Sequence, residues 1–281
     1  MRGVCRSFRF VTARPLAAGL LTCIYCGQPA RSREHIVATR FIDVLREDPR
    51  GLPLPVMLTA TLPDGTRRRI GGKKTKRGKY TLEYTTRVCA NCNSGWMNRI
   101  DDAAFPSVAD MVRGKQVSLD GAARAAIAAW MCKVAVTARS APHSPLPIER
   151  DWTDWLYTHH SAPPTWYVWI GRYEGTQPWW YQPHDVRIEL GPGSASPPPG
   201  MNLVRPNGVL ATLVIGYLIA QVFGVSGLGQ LQNPDREVDF PLIWPGSTDL
   251  VWPPPHHIDD AGLPRWGERL LYQPSLPLSA T

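Results

Sequence analysis

The sequence predicts an α+β protein with a cysteine-bracketed front and a Trp-rich α+β back. Two Cys-x-x-Cys pairs, Cys23-Ile24-Tyr25-Cys26 and Cys89-Ala90-Asn91-Cys92, bracket the front. Strand-like runs and helical spacings are mixed along the rest, with no internal repeat. The net charge of +8 over 281 residues divides unevenly. Residues 1–100 hold 19 Lys and Arg against 6 Asp and Glu, whereas residues 101–281 hold 12 against 17. A front of +13 and a back of −5 point to a polyanionic partner for the front alone. At 43% apolar and 19% charged residues, the chain can bury a core and is not disordered throughout.

Three units are expected: a flexible basic tail over 1–20, a module over 21–102, and an accessory α+β domain of unassigned role over 103–281. The tail carries Arg2, Arg6, Arg9 and Arg14, and its apolar run from Leu16 to Leu21 is short for a secretory signal. An extended segment follows the first cysteine pair as far as Ile36. Val37 to Asp48 sets Phe41, Val44 and Leu45 at helical spacing and stops before Pro49. Val56–Leu62 and Arg67–Ile70 flank the turn Pro63-Asp64-Gly65-Thr66, a hairpin signal. Gly71 to Gly78 is a Lys/Arg/Gly loop. Lys79 to Val88 alternates as a strand leading to the second cysteine pair, and Asn93 to Asp102 places Trp96 and Ile100 one helical turn apart.

In the back half, Asp120 is the expected N-cap of an Ala-rich helix reaching Arg139. Arg124 and Lys133 interrupt its apolar face, so it is not a membrane span. Asp151–His159 reads as a helix, Thr165–Ile170 and Val186–Leu190 as strands, and Gly191–Gly200 as a Pro/Gly/Ser linker. Gly208 to Gln232 lacks any charge and is long enough to cross a bilayer, but its glycines, glutamines and weakly basic flanks argue against that. Val209–Ile215 suits a buried strand, followed by a short helix. No membrane association is expected. The tryptophans concentrate from Trp130 onward, where core packing or a protein interface, including self-association, explains them better than stacking on bases.

The two cysteine pairs carry the strongest chemical signal. Four thiolates in two close pairs suit tetrahedral zinc in a structural role, and a reducing, cytoplasmic setting favours metal over disulfide. The 62 residues between the pairs exceed a compact zinc ribbon, so an insertion separates the knuckles. Inside that frame lie Glu34-His35, and Asn93 directly follows the last cysteine. A carboxylate and an amide oxygen can hold a hard divalent cation, and an imidazole can deprotonate water. His159-His160 and His256-His257 lack Cys or acidic partners at ligand spacing and read as surface residues, and Cys132 reads as core.

The run C-x-x-C-G, then E-H-I, then C-x-x-C-N-S-G-W-M-N resembles the HNH (ββα-metal) endonuclease family of the zinc-knuckle type, over Cys23 to about Asp101. The resemblance implies a ββα-metal module with structural zinc on Cys23, Cys26, Cys89 and Cys92. It further implies that His35 is the general base, and that Glu34 and Asn93 hold a catalytic Mg²⁺ or Mn²⁺. Asn98 is a lower-ranked alternative on another helix face. Trp96 and Met97 are expected to pack the helix on the knuckle. The middle Asn or His of the family has no counterpart, because Thr85-Thr86-Arg87 stand in its place.

The expected activity is metal-dependent hydrolysis of DNA phosphodiester bonds. Arg67, Arg68, Arg69, Lys73, Lys74, Lys76, Arg77 and Lys79 would contact the DNA backbone without reading sequence. Two other readings stand beside it. One is a non-catalytic zinc-dependent nucleic-acid-binding module; the other is a zinc-stabilised platform for protein interaction.

Overall fold

A computed structural model describes residues 21–50, 58–61, 67–70, 84–141, 148–186, 208–225, 240–246 and 248–268. The basic tail over 1–20, the Lys/Arg loop over 71–79 and the linker over 191–200 lie outside them. Helices and sheet are mixed, as an α+β reading requires. In the front half β1 (Ser32–His35) is followed by α1 (Thr39–Leu45), β2 (Leu58–Thr61), β3 (Arg67–Ile70) and β4 (Tyr84–Val88). The second cysteine pair opens a helical turn, α2 (Ala90–Cys92), which continues through a π-helical turn at Asn93–Met97 into α3 (Asn98–Val112).

After α3 come β5 (Val117–Leu119), α4 (Gly121–Arg139), α5 (Arg150–His159), β6 (Tyr167–Tyr173), β7 (Trp179–Val186), β8 (Gly208–Ile215) and β9 (Leu218–Val225). The described residues then include β10 (Leu242–Trp244), β11 (Leu250–Trp252), β12 (His257–Ile258) and α6 (Gly262–Glu268). Strands β10-β6-β9-β8-β7-β2-β3 form one sheet, with β12 alongside β6. Strands β1 and β4 form a separate antiparallel pair, as do β5 and β11.

The central hairpin explains the charge-free stretch at 208–225. Side chains alternate across a strand. Val209, Ala211, Leu213 and Ile215 of β8, with Leu218, Ala220 and Val222 of β9, join the core shared with the helices. Leu210, Val214, Ile219 and Phe223 face the other way, where Phe240 and Leu263 cover them and Trp266 packs alongside. Both faces are dry, so no position tolerates an unpaired charge. The polar exceptions satisfy each other: Gln221 Nε2 donates to Thr212 Oγ1 at 2.9 Å and to the Trp266 carbonyl at 3.2 Å.

The short helix expected after Ile215 is strand β9 instead. Gly216 turns the chain with φ +58°, and a Cβ there would collide with the Val112 carbonyl. Strand β7 covers Trp179–Val186; of the strand expected at Val186–Leu190, only Val186 is among the described residues. Strands β2 and β3 pair antiparallel as the hairpin signal predicts, with Leu58 opposite Ile70 and Thr61 opposite Arg67; residues 62–66 between them lie outside the described ones.

Helix α4 organises the molecule. The Asp120 side chain caps it by accepting from the Ala123 amide at 2.8 Å. Every residue from Ile127 to Arg139 is buried, so the helix is enclosed on all sides. Among the described residues no helix is long and apolar enough to cross a membrane.

The boundary expected between Asp102 and Ala103 falls inside α3, which runs unbroken across it. Strand β2 also pairs with β7 at Thr61–His184, adding the front hairpin to the edge of the large sheet. One apolar cluster runs from Cys23 to Trp252. The change of charge marks a change of surface, with the core continuous beneath it.

Candidate functional site

The first cysteine pair sits on a tight turn. The Cys23 amide donates to the Gln28 carbonyl at 2.7 Å, and Gly27, at φ +73°, returns its amide to the Cys23 carbonyl at 3.0 Å. Few residues other than glycine accept that dihedral. The second pair is wound into a helix start: the Cys92 amide donates to Cys89 Sγ at 3.4 Å and the Asn93 amide to the Cys89 carbonyl at 3.0 Å. The Ile24 amide bonds the Arg87 carbonyl at 2.9 Å and brings the two turns together.

All four sulfurs lie within 4.8 Å of one another, and Cys26 Sγ is 3.5 Å from Cys89 Sγ. Four thiolates about 2.3 Å from one zinc would stand about 3.8 Å apart, so the cluster has the size and donor set of a Cys₄ zinc site. Burial raises the Cys26 and Cys92 thiols above their ordinary values. Cys89 is lowered, because the Cys92 amide and neighbouring thiols outweigh its own burial. Four negative sulfurs this close need a cation among them, which zinc would supply.

Trp96 packs edge-on against Tyr25, with ring centroids 4.9 Å apart, and both are buried beside the cysteines. The predicted packing of Trp96 and Met97 on the knuckle is what the rings and burial record. Trp96 also stacks on His160 at 5.4 Å, and Arg99, Tyr157 and His160 line an open cleft of about 530 Å³ beside Cys26 and Cys92. His160 is exposed, as expected for the pair His159-His160, but its place beside the knuckle had no signal in the sequence. Cys132 is enclosed in the core, where burial pushes its thiol far up.

Strands β1 and β4 carry the remaining candidates. Ser32 pairs with Val88, Glu34 with Thr85 and His35 with Tyr84, with an irregularity in register between Ser32 and Glu34. Asn93 reaches β1 from the start of the π-helical turn: its Nδ2 donates to Ser32 Oγ at 3.4 Å, and Ser32 Oγ donates to the Val88 carbonyl at 2.7 Å. Asn93 and Glu34 thus share one short strand as neighbour, two residues apart along it. His35 is half-buried at the strand's end. Asn98, the alternative ligand, is exposed and bonds Arg40 and Asp102. Thr85 is buried and donates to the Ser140 carbonyl at 2.8 Å.

The Glu34 carboxylate turns inward. Its Oε1 lies 3.4 Å from Lys133 Nζ, which also contacts both Asp101 oxygens at 2.7 and 2.8 Å. Glu34 is 5% exposed, Asp101 3% and Lys133 fully buried. Burial raises the Glu34 carboxyl to about 7; Lys133 pulls it down, and Asp101 pushes it further up. Two carboxyls share one ammonium, so the trio carries a full negative excess when Glu34 ionises. Lys133 and Asp101 were not among the sequence candidates. The signal present was a lone lysine within an Ala-rich apolar run.

Of the basic residues, Arg67, Arg68 and Arg69 lie on β3, the edge strand of the large sheet. Lys73, Lys74, Lys76, Arg77 and Lys79 fall outside the described residues.

Comparison of the chain with family models, curated proteins and solved structures returns no match.

Proposed function

We propose that the chain is a metal-dependent endonuclease of the HNH kind that hydrolyses DNA phosphodiester bonds. One observation carries the reading: an antiparallel strand pair, β1–β4, leads into a helix through converged cysteine pairs, and the first residue after them, Asn93, is bonded back to β1 beside Glu34 and His35. Two strands and a helix around one knuckle is the layout that the sequence resemblance implies. The oxygens of Glu34 and Asn93 are of the class that hard divalent cations prefer, and a cation would balance the negative excess of the Glu34–Asp101–Lys133 cluster.

In this reading the zinc is structural and holds the helix start against β1. A Mg²⁺- or Mn²⁺-type ion on Glu34 and Asn93 would stabilise the leaving alkoxide. His35 takes the proton of the attacking water. The arginines of β3, with the Lys/Arg loop after them, hold the phosphate backbone. Purified protein should nick or cut plasmid DNA with Mg²⁺ or Mn²⁺. The variant His35→Ala should keep its zinc and lose cleavage; cleavage retained in a clean preparation of that variant would overturn the mechanism.

The burial of Glu34 against Lys133 favours a second reading, a zinc-dependent module that binds nucleic acid without cutting it. That reading expects salt-sensitive DNA binding, no cleavage with any metal, and no effect of Glu34→Ala beyond stability.

A further inference from the structure

Helix α4 belongs to the acidic half of the chain, yet one of its faces is built into the front module. Lys133, Thr137 and Ser140 fall on that face at helical spacings of four and three. Each is buried, and each holds a different part of the module. Lys133 reaches Glu34 on β1 at 3.4 Å, Thr137 Oγ1 hydrogen-bonds the Tyr25 hydroxyl of the first cysteine turn at 2.8 Å, and the Ser140 carbonyl accepts from Thr85 of β4 at 2.8 Å. Thr85 in turn sits opposite Glu34 in the strand pair. Asp101 of α3 closes the arrangement by holding Lys133 at 2.7 Å.

We infer that Lys133 is a positioning residue for the Glu34–His35 corner, supplied by the half of the chain outside the nuclease module. The inference rests on the nuclease reading and gives the second half a task in it. A glutamate side chain has three rotatable bonds, and an isolated one on a two-stranded ribbon would sample many directions. An ammonium fixed by Asp101 and enclosed in the core defines where one Glu34 oxygen goes. His35 is the next residue on the same strand, so what fixes Glu34 also limits the local backbone of the base. Partners that orient a metal-binding carboxylate commonly change metal affinity or activity by about 10–100-fold when removed.

The test uses the full chain. Lys133→Met alone leaves two carboxyls buried without a cation and can unfold the protein. The double variant Lys133→Met/Asp101→Asn keeps that site neutral once Glu34 is protonated, and Lys133→Arg keeps the charge. The double variant should retain zinc and melt close to wild type, require about tenfold or more Mg²⁺ for half-maximal cleavage, and show shifted His35 imidazole resonances. Lys133→Arg should recover part of the wild-type Mg²⁺ dependence. A folded double variant with wild-type Mg²⁺ dependence and unmoved His35 resonances overturns the inference. Wild-type protein that cleaves nothing with any metal overturns the nuclease reading instead; in that case the His35 resonances alone decide the positioning role, and unmoved signals refute it.

Discussion

The Tyr25 hydroxyl hydrogen-bonds Thr137 Oγ1 at 2.8 Å across 112 residues of sequence. Both side chains are buried, and Tyr25 is enclosed so fully that its phenol is pushed far above its ordinary value. The bond fastens the first cysteine turn to the long helix, so the cysteine cluster and the core around α4 support each other.

Removing one partner of that bond should cost more than removing both. Thr137→Val strands the Tyr25 hydroxyl in an apolar site and should destabilise the fold by about 1–3 kcal/mol. Adding Tyr25→Phe should return part of that loss. Urea unfolding of the two single variants and the double variant measures the coupling, and simple additivity would show that the bond contributes nothing of its own.

The four cysteines should bind one zinc per chain, measurable by elemental analysis. Structural zinc in small peptides contributes about 10–16 kcal/mol to folding near neutral pH. Here a large continuous core shares the load, so Cys89→Ser should lose the metal and loosen the knuckle while the sheet stays folded. Hydrogen exchange should rise at Cys23–Gly27 and Cys89–Asn93 and hold steady in β8 and β9. Uniform loss of protection would contradict this.

Glu34 should make stability fall as pH rises toward neutrality. Its folded value of about 7 stands above the ordinary 4.5, so between those values the folded state holds more protons than the unfolded one. The contribution is complete below about 4.5 and is lost as pH climbs through about 7. Glu34→Gln removes the titration. Its stability relative to wild type should therefore increase between pH 5 and pH 8, and a constant difference across that range would refute the assignment.

Neutralising the edge strand should weaken DNA binding without touching the fold. Replacing Arg67, Arg68 and Arg69 together by Ser leaves the backbone pairing of β2 and β3 available. Each lost phosphate contact should flatten the plot of log affinity against log salt by about 0.9. An unchanged slope would place the DNA elsewhere.

Local signals in the sequence were read well where one residue carries the physics. Asp120 caps α4, the residues predicted to flank a turn pair as β2 and β3, and the cysteine spacing brings four sulfurs together. Strand β9 was hidden because both of its faces are buried, which removes the alternation that identifies a strand. The change of charge near Ala103 has no counterpart in the core, because charge reports the surface while α3 and the apolar cluster continue beneath it. Lys133 was visible but had no partner in sequence terms: Glu34 lies 99 residues away and Asp101 32, and only the fold brings them within reach.

The uninterrupted course of α3 has a practical consequence for anyone dividing this protein. A fragment ended at Asp102 would keep only the first turn and a half of that helix, leaving its last carbonyls uncapped. It would also uncover Phe41, whose ring packs on Phe105 and Trp130. The complementary fragment would lose the partners of Trp130, Lys133 and Thr137 on α4, which are Phe41, Glu34 and Tyr25. Both pieces would be prone to aggregate, and mixing them would be the better route to a working protein than expressing either alone. Surface charge is thus a poor guide to where this chain can be cut.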